Sequence, residues 1–146
     1  NIGDRISYLQ QAIVCLQDRV GDLVHQSPYY HSQPWGYQSD NEYINNVIKI
    51  QSSLHPKQLL IITQAIEKDL GRTIKGVYAD RTIDIDILLA FDSASQSLFI
   101  QSETLTIPHP KMFERPFVLV PLQHVYDESI DLSSIEEQIN LSNICL

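Results

Sequence analysis

Cysteine is scarce in this 146-residue chain, which has only Cys15 and Cys145, with no CxxC and no Cys/His cluster. That argues against a disulfide framework, a zinc site and a thiol redox motif. Each thiol is expected to pack as a small hydrophobe in a reducing, cytoplasmic setting. Glycine (5) and proline (7) are too few for a collagen-like or low-complexity chain. No apolar run approaches the roughly 18 residues of a membrane span. Positive charge is short as well: 10 Lys+Arg face 18 Asp+Glu, a net charge of −8. That balance argues against a nucleic-acid binder or an anionic-membrane module, since both need a basic face. Taken alone, it argues equally against a polyanionic ligand such as a nucleoside triphosphate.

What is present suits one globular domain over residues 1–146: 43% of residues are hydrophobic and 19% charged. Ile6, Leu9, Ile13, Leu16 and Val20 recur at steps of three and four and predict a helix, with Asp4 as its N-cap and Gly21 as its stop. Residues 43–50 read as a strand. His55-Pro56 opens a second helix bearing Leu59, Leu60, Ile62, Ile66 and Leu70, ended by Gly71. The clearest strand covers 82–91, where Ile83, Ile85, Ile87, Leu89 and Phe91 alternate with the residues between them. A turn at 92–96, a short partner strand at 98–100, a loop at 108–116, an apolar strand at 117–120 and a short helix at 133–140 complete the chain. This order predicts an α+β sandwich, with helices packed on a mostly antiparallel sheet.

Asp84 and Asp86 carry the sharpest chemistry. Two positions apart on a strand, they share a face, about 6–7 Å apart at the backbone. Such a pair suits a hard divalent cation, which takes oxygen ligands and keeps waters and substrate phosphates. Leu88 and Ala90 lie on the same face and imply that it is partly covered. Arg72, Lys75 and Arg81 precede the pair and could clamp phosphates. No GxxxxGK[ST] occurs, so this is not a P-loop enzyme. His109 and Arg115 flank a proline-rich loop and suit an anionic group. Trp35, beside Pro34 and Gly36, could wall a planar-ligand pocket, with Asn45 offering donor and acceptor to a heterocycle edge. Each feature has a plain alternative: a wet acidic face, a basic turn in which Arg72 caps the helix, a structural proline turn, and a Trp that pins its loop.

Assembled in order, these segments resemble the 6-hydroxymethyl-7,8-dihydropterin pyrophosphokinases of folate biosynthesis. Asn1-Ile2-Gly3-Asp4-Arg5 is similar to the end of the family's opening motif, Ser32-Gln33-Pro34-Trp35-Gly36 to its Thr-x-Pro-hydrophobic-Gly loop, and Tyr43-Ile44-Asn45 to its Phe/Tyr-x-Asn strand. Gly71-Arg72 with Arg81-Thr82-Ile83-Asp84-Ile85-Asp86 resembles its Arg-x-x-Asp-x-Asp signature, and Pro108-His109, Arg115-Pro116-Phe117 and Pro121-Leu122 its last block. Any one of these is weak; five in the right order are specific.

The resemblance implies a ferredoxin-like sandwich and one reaction, transfer of pyrophosphate from ATP to the pterin's hydroxymethyl oxygen. It implies two Mg²⁺ ions on Asp84 and Asp86, with Arg72 and Arg81 steadying the phosphates. Gln64, Lys75, Ile87, His109 and Arg115 fall on the ATP side; Ser32, Trp35, Tyr43, Asn45 and Phe117 fall on the pterin side. Glu67 matches a helix carboxylate near the loop arginines. Closure of residues 71–80 about Gly76 is expected to exclude water. The partners implied are these small molecules, with no nucleic acid or membrane, and the protein is expected to be a cytoplasmic monomer or weak dimer.

The chain departs from the family pattern in three places. The family has a strand before Asn1, so a first strand is expected to be missing. Val77-Tyr78-Ala79-Asp80 replaces Arg-Trp-Gly-Pro, and Thr104 and Pro110 replace an arginine and an aromatic. These changes leave a catalytically impaired nucleotide- or pterin-binding module as the second reading. A third, a protein-interaction domain, gives Asp84, Asp86 and His109 no shared purpose. The net charge now reads differently, because two divalent ions would turn the acidic pair into a local excess of positive charge.

Overall fold

Two amphipathic helices and three short strand pairs account for most of the regular structure, seen in a computed structural model that describes residues 2–32, 43–72 and 83–125. The chain divides into two compact units. One comprises Asn1–Val24 and Ile50–Asp86; the other comprises His25–Lys49 and Ile87–Leu146. The fold is α+β, as the sequence predicts.

In the first unit, helix α1 (Ile2–Arg19) packs against helix α2 (Pro56–Arg72). Ala12, Ile13 and Leu16 are buried on α1, and Thr63, Ile66 and Leu70 on α2, at the spacing a helical stripe requires. An exposed ion pair, Arg19 to Asp69 at 3.1 Å, links the helices. At that exposure it contributes no more than about 1 kcal/mol. The start of α2 is satisfied on both sides. His55 Nδ1 accepts the Lys57 N–H (3.1 Å), and Gln58 Oε1 accepts the His55 N–H (3.0 Å), with Pro56 where no N–H is needed. Gly21 follows α1, where a Cβ would collide with the Gln51 carbonyl oxygen.

In the second unit, strand β2 (Tyr30–Ser32) pairs antiparallel with strand β3 (Tyr43–Asn45). Helix α3 (Pro116–Val125) packs on both. Its Val118, Leu119, Leu122 and Val125 join Val47 and Met112 in the core, flanked by Leu88, Leu89, Phe113 and Phe117. Two further pairs are β1 (Asp22–Gln26) with β4 (Ile48–Gln51) and β5 (Ile100–Gln101) with β6 (Thr106–Ile107).

Several expectations are corrected. Residues 117–120 are helical: Pro116 opens α3, and a short apolar run has no period of its own to separate strand from helix. Residues 83–90 form no strand among the described residues, although Ile83 and Ile85 are half-buried and Asp84 and Asp86 exposed. Alternation sets which side chains face inward, whereas a strand also needs a paired neighbour. The expected strand over 43–50 is broken at Asn46 and Val47 into β3 and β4. Asp4 lies inside α1, and α2 continues through Gly71, since glycine weakens a helix without forbidding it. The turn at 92–96 is present, but its partner is Ser97–Leu98, by a Phe91–Ser97 bridge and the Leu98 N–H on the Ala90 carbonyl (2.8 Å). Ile100 pairs instead with Ile107. The helix expected at 133–140 lies outside the described residues.

Ser27 fastens the entry to β2. It is buried, its N–H donates to the Val47 carbonyl (2.8 Å), and its Oγ accepts the Val47 N–H (2.8 Å) while donating to the Pro28 carbonyl (2.9 Å). Ser27→Ala strands a buried N–H. It is expected to lower the unfolding free energy by about 1–3 kcal/mol, read as a lower urea midpoint with an unchanged slope.

Candidate active site

The site residues predicted from sequence are distributed over both units. In the first, Asp84 and Asp86 are exposed on either side of half-buried Ile85. The Ile85 N–H donates to Glu67 Oε1 at 2.6 Å, tying the acidic segment to α2. Gln64 stands exposed on α2, three residues before Glu67, and Arg72 is the last residue of that helix. Lys75, Arg81, the expected hinge Gly76 and Tyr78 lie outside the described residues. Among the described residues no three His, Cys, Asp or Glu side chains gather as a metal cage. The Asp pair nevertheless fits magnesium. Its donors are hard, solvent-facing carboxylate oxygens, and Mg²⁺ usually takes one or two protein carboxylates, filling its shell with water and phosphate.

In the second unit the β2–β3 register brings three predicted residues together. Ser32 lies directly across from Tyr43, and Tyr30 across from Asn45. Residues opposite each other and two apart share a face. Ser32, Tyr43, Asn45 and Tyr30 therefore form one polar-aromatic surface, while Ile44 points the other way and is buried. Tyr43 keeps 46% of its surface exposed. Sequence reasoning missed Tyr30, because β2 was not predicted and its register with β3 is a long-range property. Trp35 lies outside the described residues.

Arg115 and Phe117 also meet. The Arg115 carbonyl accepts the Val118 and Leu119 N–H groups at the start of α3, and its guanidinium carbon lies 5.7 Å from the centre of the Phe117 ring. His109 is held from both sides: its N–H donates to the Leu88 carbonyl (2.9 Å), and its Nδ1 accepts the Lys111 N–H (3.2 Å). In the neutral ring this leaves the proton on Nε2, a donor suited to an anionic oxygen. Ile87, half-buried, leads into Leu88 at the start of this segment.

The sequence model of the 7,8-dihydro-6-hydroxymethylpterin-pyrophosphokinase (HPPK) family matches residues 1–127. The chain belongs to the HPPK family. It is 48% identical over 130 residues to the 2-amino-4-hydroxy-6-hydroxymethyldihydropteridine pyrophosphokinase of Porphyromonas gingivalis, covering 86% of this chain and 84% of that protein. The proteins of the same name from Bacillus subtilis and Aquifex aeolicus are 42% and 36% identical over 126 and 125 residues. Each comparison covers 86% of this chain, with 72% of the first relative and 74% of the second. The HPPK match spans every residue singled out above.

The His109 geometry separates a structural from a chemical role within this HPPK chain. In His109→Asn the amide Oδ1 can take over from Nδ1 as acceptor for the Lys111 N–H, as in an Asx turn, while the ring Nε2–H is lost. Thermal or urea unfolding is expected to place His109→Ala about 0.5–1.5 kcal/mol below the parent and His109→Asn above His109→Ala.

Proposed function

We propose that this chain transfers the β,γ-pyrophosphoryl group of ATP to 6-hydroxymethyl-7,8-dihydropterin, giving AMP and the pterin diphosphate. The observation that carries the reading is the exposure pattern at 83–86, which turns two carboxylates outward from one tethered segment in a chain of this family. The hydroxymethyl oxygen attacks the β-phosphorus, and the bond from that phosphorus to the oxygen shared with the α-phosphate breaks. The electron pair leaves with AMP and the hydroxyl proton passes to water.

Asp84 and Asp86 hold two Mg²⁺ ions in this proposal; bound there, magnesium neutralises the triphosphate and orients the attacking hydroxyl. Arg72, Lys75, Arg81 and Arg115 add positive charge along the phosphates, and His109 donates from Nε2. Gln64 and Ile87 contact the nucleotide. On the pterin side, Asn45 and Ser32 meet the heterocycle's polar edge, while Tyr43, Phe117 and Trp35 supply apolar faces for stacking.

Residues 1–146 work as one ferredoxin-like catalytic domain in this reading, a monomer or weak dimer. No helix among the described residues is long and apolar enough to cross a membrane. Free Cys15 and the use of ATP support a cytoplasmic setting.

The test is AMP release from ATP. It is expected only when magnesium and the pterin are both present, and Asp84→Asn or Asp86→Asn is expected to lower it by at least about 100-fold. Turnover unchanged by both substitutions would remove the metal assignment. Tight nucleotide binding without AMP formation by the parent chain would instead favour an impaired binding module.

A further inference from the structure

Over residues 83–86 the segment bearing Asp84 and Asp86 pairs with no strand among the described residues, and its described backbone contact is a hydrogen bond to a helix side chain. Downstream, Leu88 and Ala90 are anchored through their carbonyls to the His109 and Leu98 N–H groups. Between the two aspartates the anchor is the Ile85 N–H on Glu67 Oε1. At 2.6 Å the amide and the carboxylate oxygen are in direct hydrogen-bond contact. Glu67 is half-buried on α2 beside fully buried Ile66, so its backbone is fixed by core packing.

We propose that Glu67 is a positioning residue: by accepting the Ile85 N–H it fixes which way Asp84 and Asp86 point. The inference rests on the metal role proposed for the Asp pair. In an extended segment, turning the chain by one residue exchanges the two faces, which would put Ile85 outward and the carboxylates inward. A hydrogen bond to the central amide opposes that exchange. A direct ligand role would predict something else, namely Glu67 grouped with both aspartates, and no such group of three occurs among the described residues. Glu67 thus acts through the backbone, as supporting residues around metal sites do.

Three variants separate the possibilities: Glu67→Ala removes the acceptor, Glu67→Gln keeps an Oε1 without charge, and Glu67→Asp withdraws the carboxylate by one methylene. Amide exchange at Ile85, followed by NMR in the metal-free protein, is expected to accelerate about tenfold or more in Glu67→Ala and to stay within about threefold of the parent in Glu67→Gln. Magnesium-dependent binding of a methylene-bridged ATP analogue, measured by calorimetry, is expected to weaken about 10- to 100-fold in Glu67→Ala. Its kcat should fall with it, KM for the pterin should change less than about twofold, and Glu67→Gln should restore most of both.

Unchanged Ile85 exchange in Glu67→Ala would overturn the proposal, as would nucleotide binding equally weak in Glu67→Gln with Ile85 still protected. If Glu67→Ala fails to fold, Glu67→Asp carries the same comparison against Glu67→Gln. Asp84→Asn run alongside reports separately on the metal reading: if it leaves magnesium-dependent binding intact, that reading fails, while Ile85 exchange still decides whether Glu67 holds the segment.

Discussion

Two carboxylates on one side of an extended segment repel, and the chain must supply the restraint that keeps them there. The restraint belongs to a sequence of dependencies running through the first unit. Gln58 and His55 close the start of α2, Ile66 and Leu70 seat it with α1, and Glu67 projects from that seated helix to the Ile85 amide. Using a backbone N–H as the fastening leaves both aspartates' own oxygens out of that bond.

The second unit solves a different problem, presenting a flat polar-aromatic face without exposing its support. Antiparallel pairing of β2 with β3 sets Ser32, Tyr43, Asn45 and Tyr30 on one side and sends Ile44 inward. Helix α3, packed on those strands, brings Phe117 to the edge of the Met112 and Leu119 core. Arg115 caps α3 through its carbonyl and lies over the Phe117 ring. A charged group and an apolar group of the candidate site are thereby placed by a single helix start.

How much of this was legible in the sequence depended on the range of the interaction concerned. The stripes on α1 and α2 are local, and the Ile66 and Leu70 periodicity predicted the buried face directly. The Asp84/Asp86 exposure followed from a period of two in the same way. Pairing could not be read so easily: β2 has no strong alternation, and its register with β3 joins residues more than ten positions apart. The run at 117–120 was misread because four apolar residues fit either period, and the deciding features, Pro116 at the first helical position and Val125 at the far end of the stripe, lie outside it. Glu67 was visible as a match to a family carboxylate. Its bond to an amide 18 positions away was not, since acceptors of backbone N–H groups leave no mark in composition.

Each unit is assembled from two stretches of chain separated by the other's contribution. The first needs residues up to Asp86 before Asn1–Val24 meets its complement, and His25–Lys49 must wait for Ile87 onward. During synthesis, residues 1–49 therefore emerge before the stretches that complete either unit. Helix α1 must hold its apolar stripe in solvent, or against whatever shields a nascent chain, until α2 has left the ribosome. Contacts that bridge such separations are closed late and at an entropic cost that grows with the loop. Folding of each unit is accordingly coupled to synthesis of its second stretch, up to Asp86 for the first and from Ile87 onward for the second.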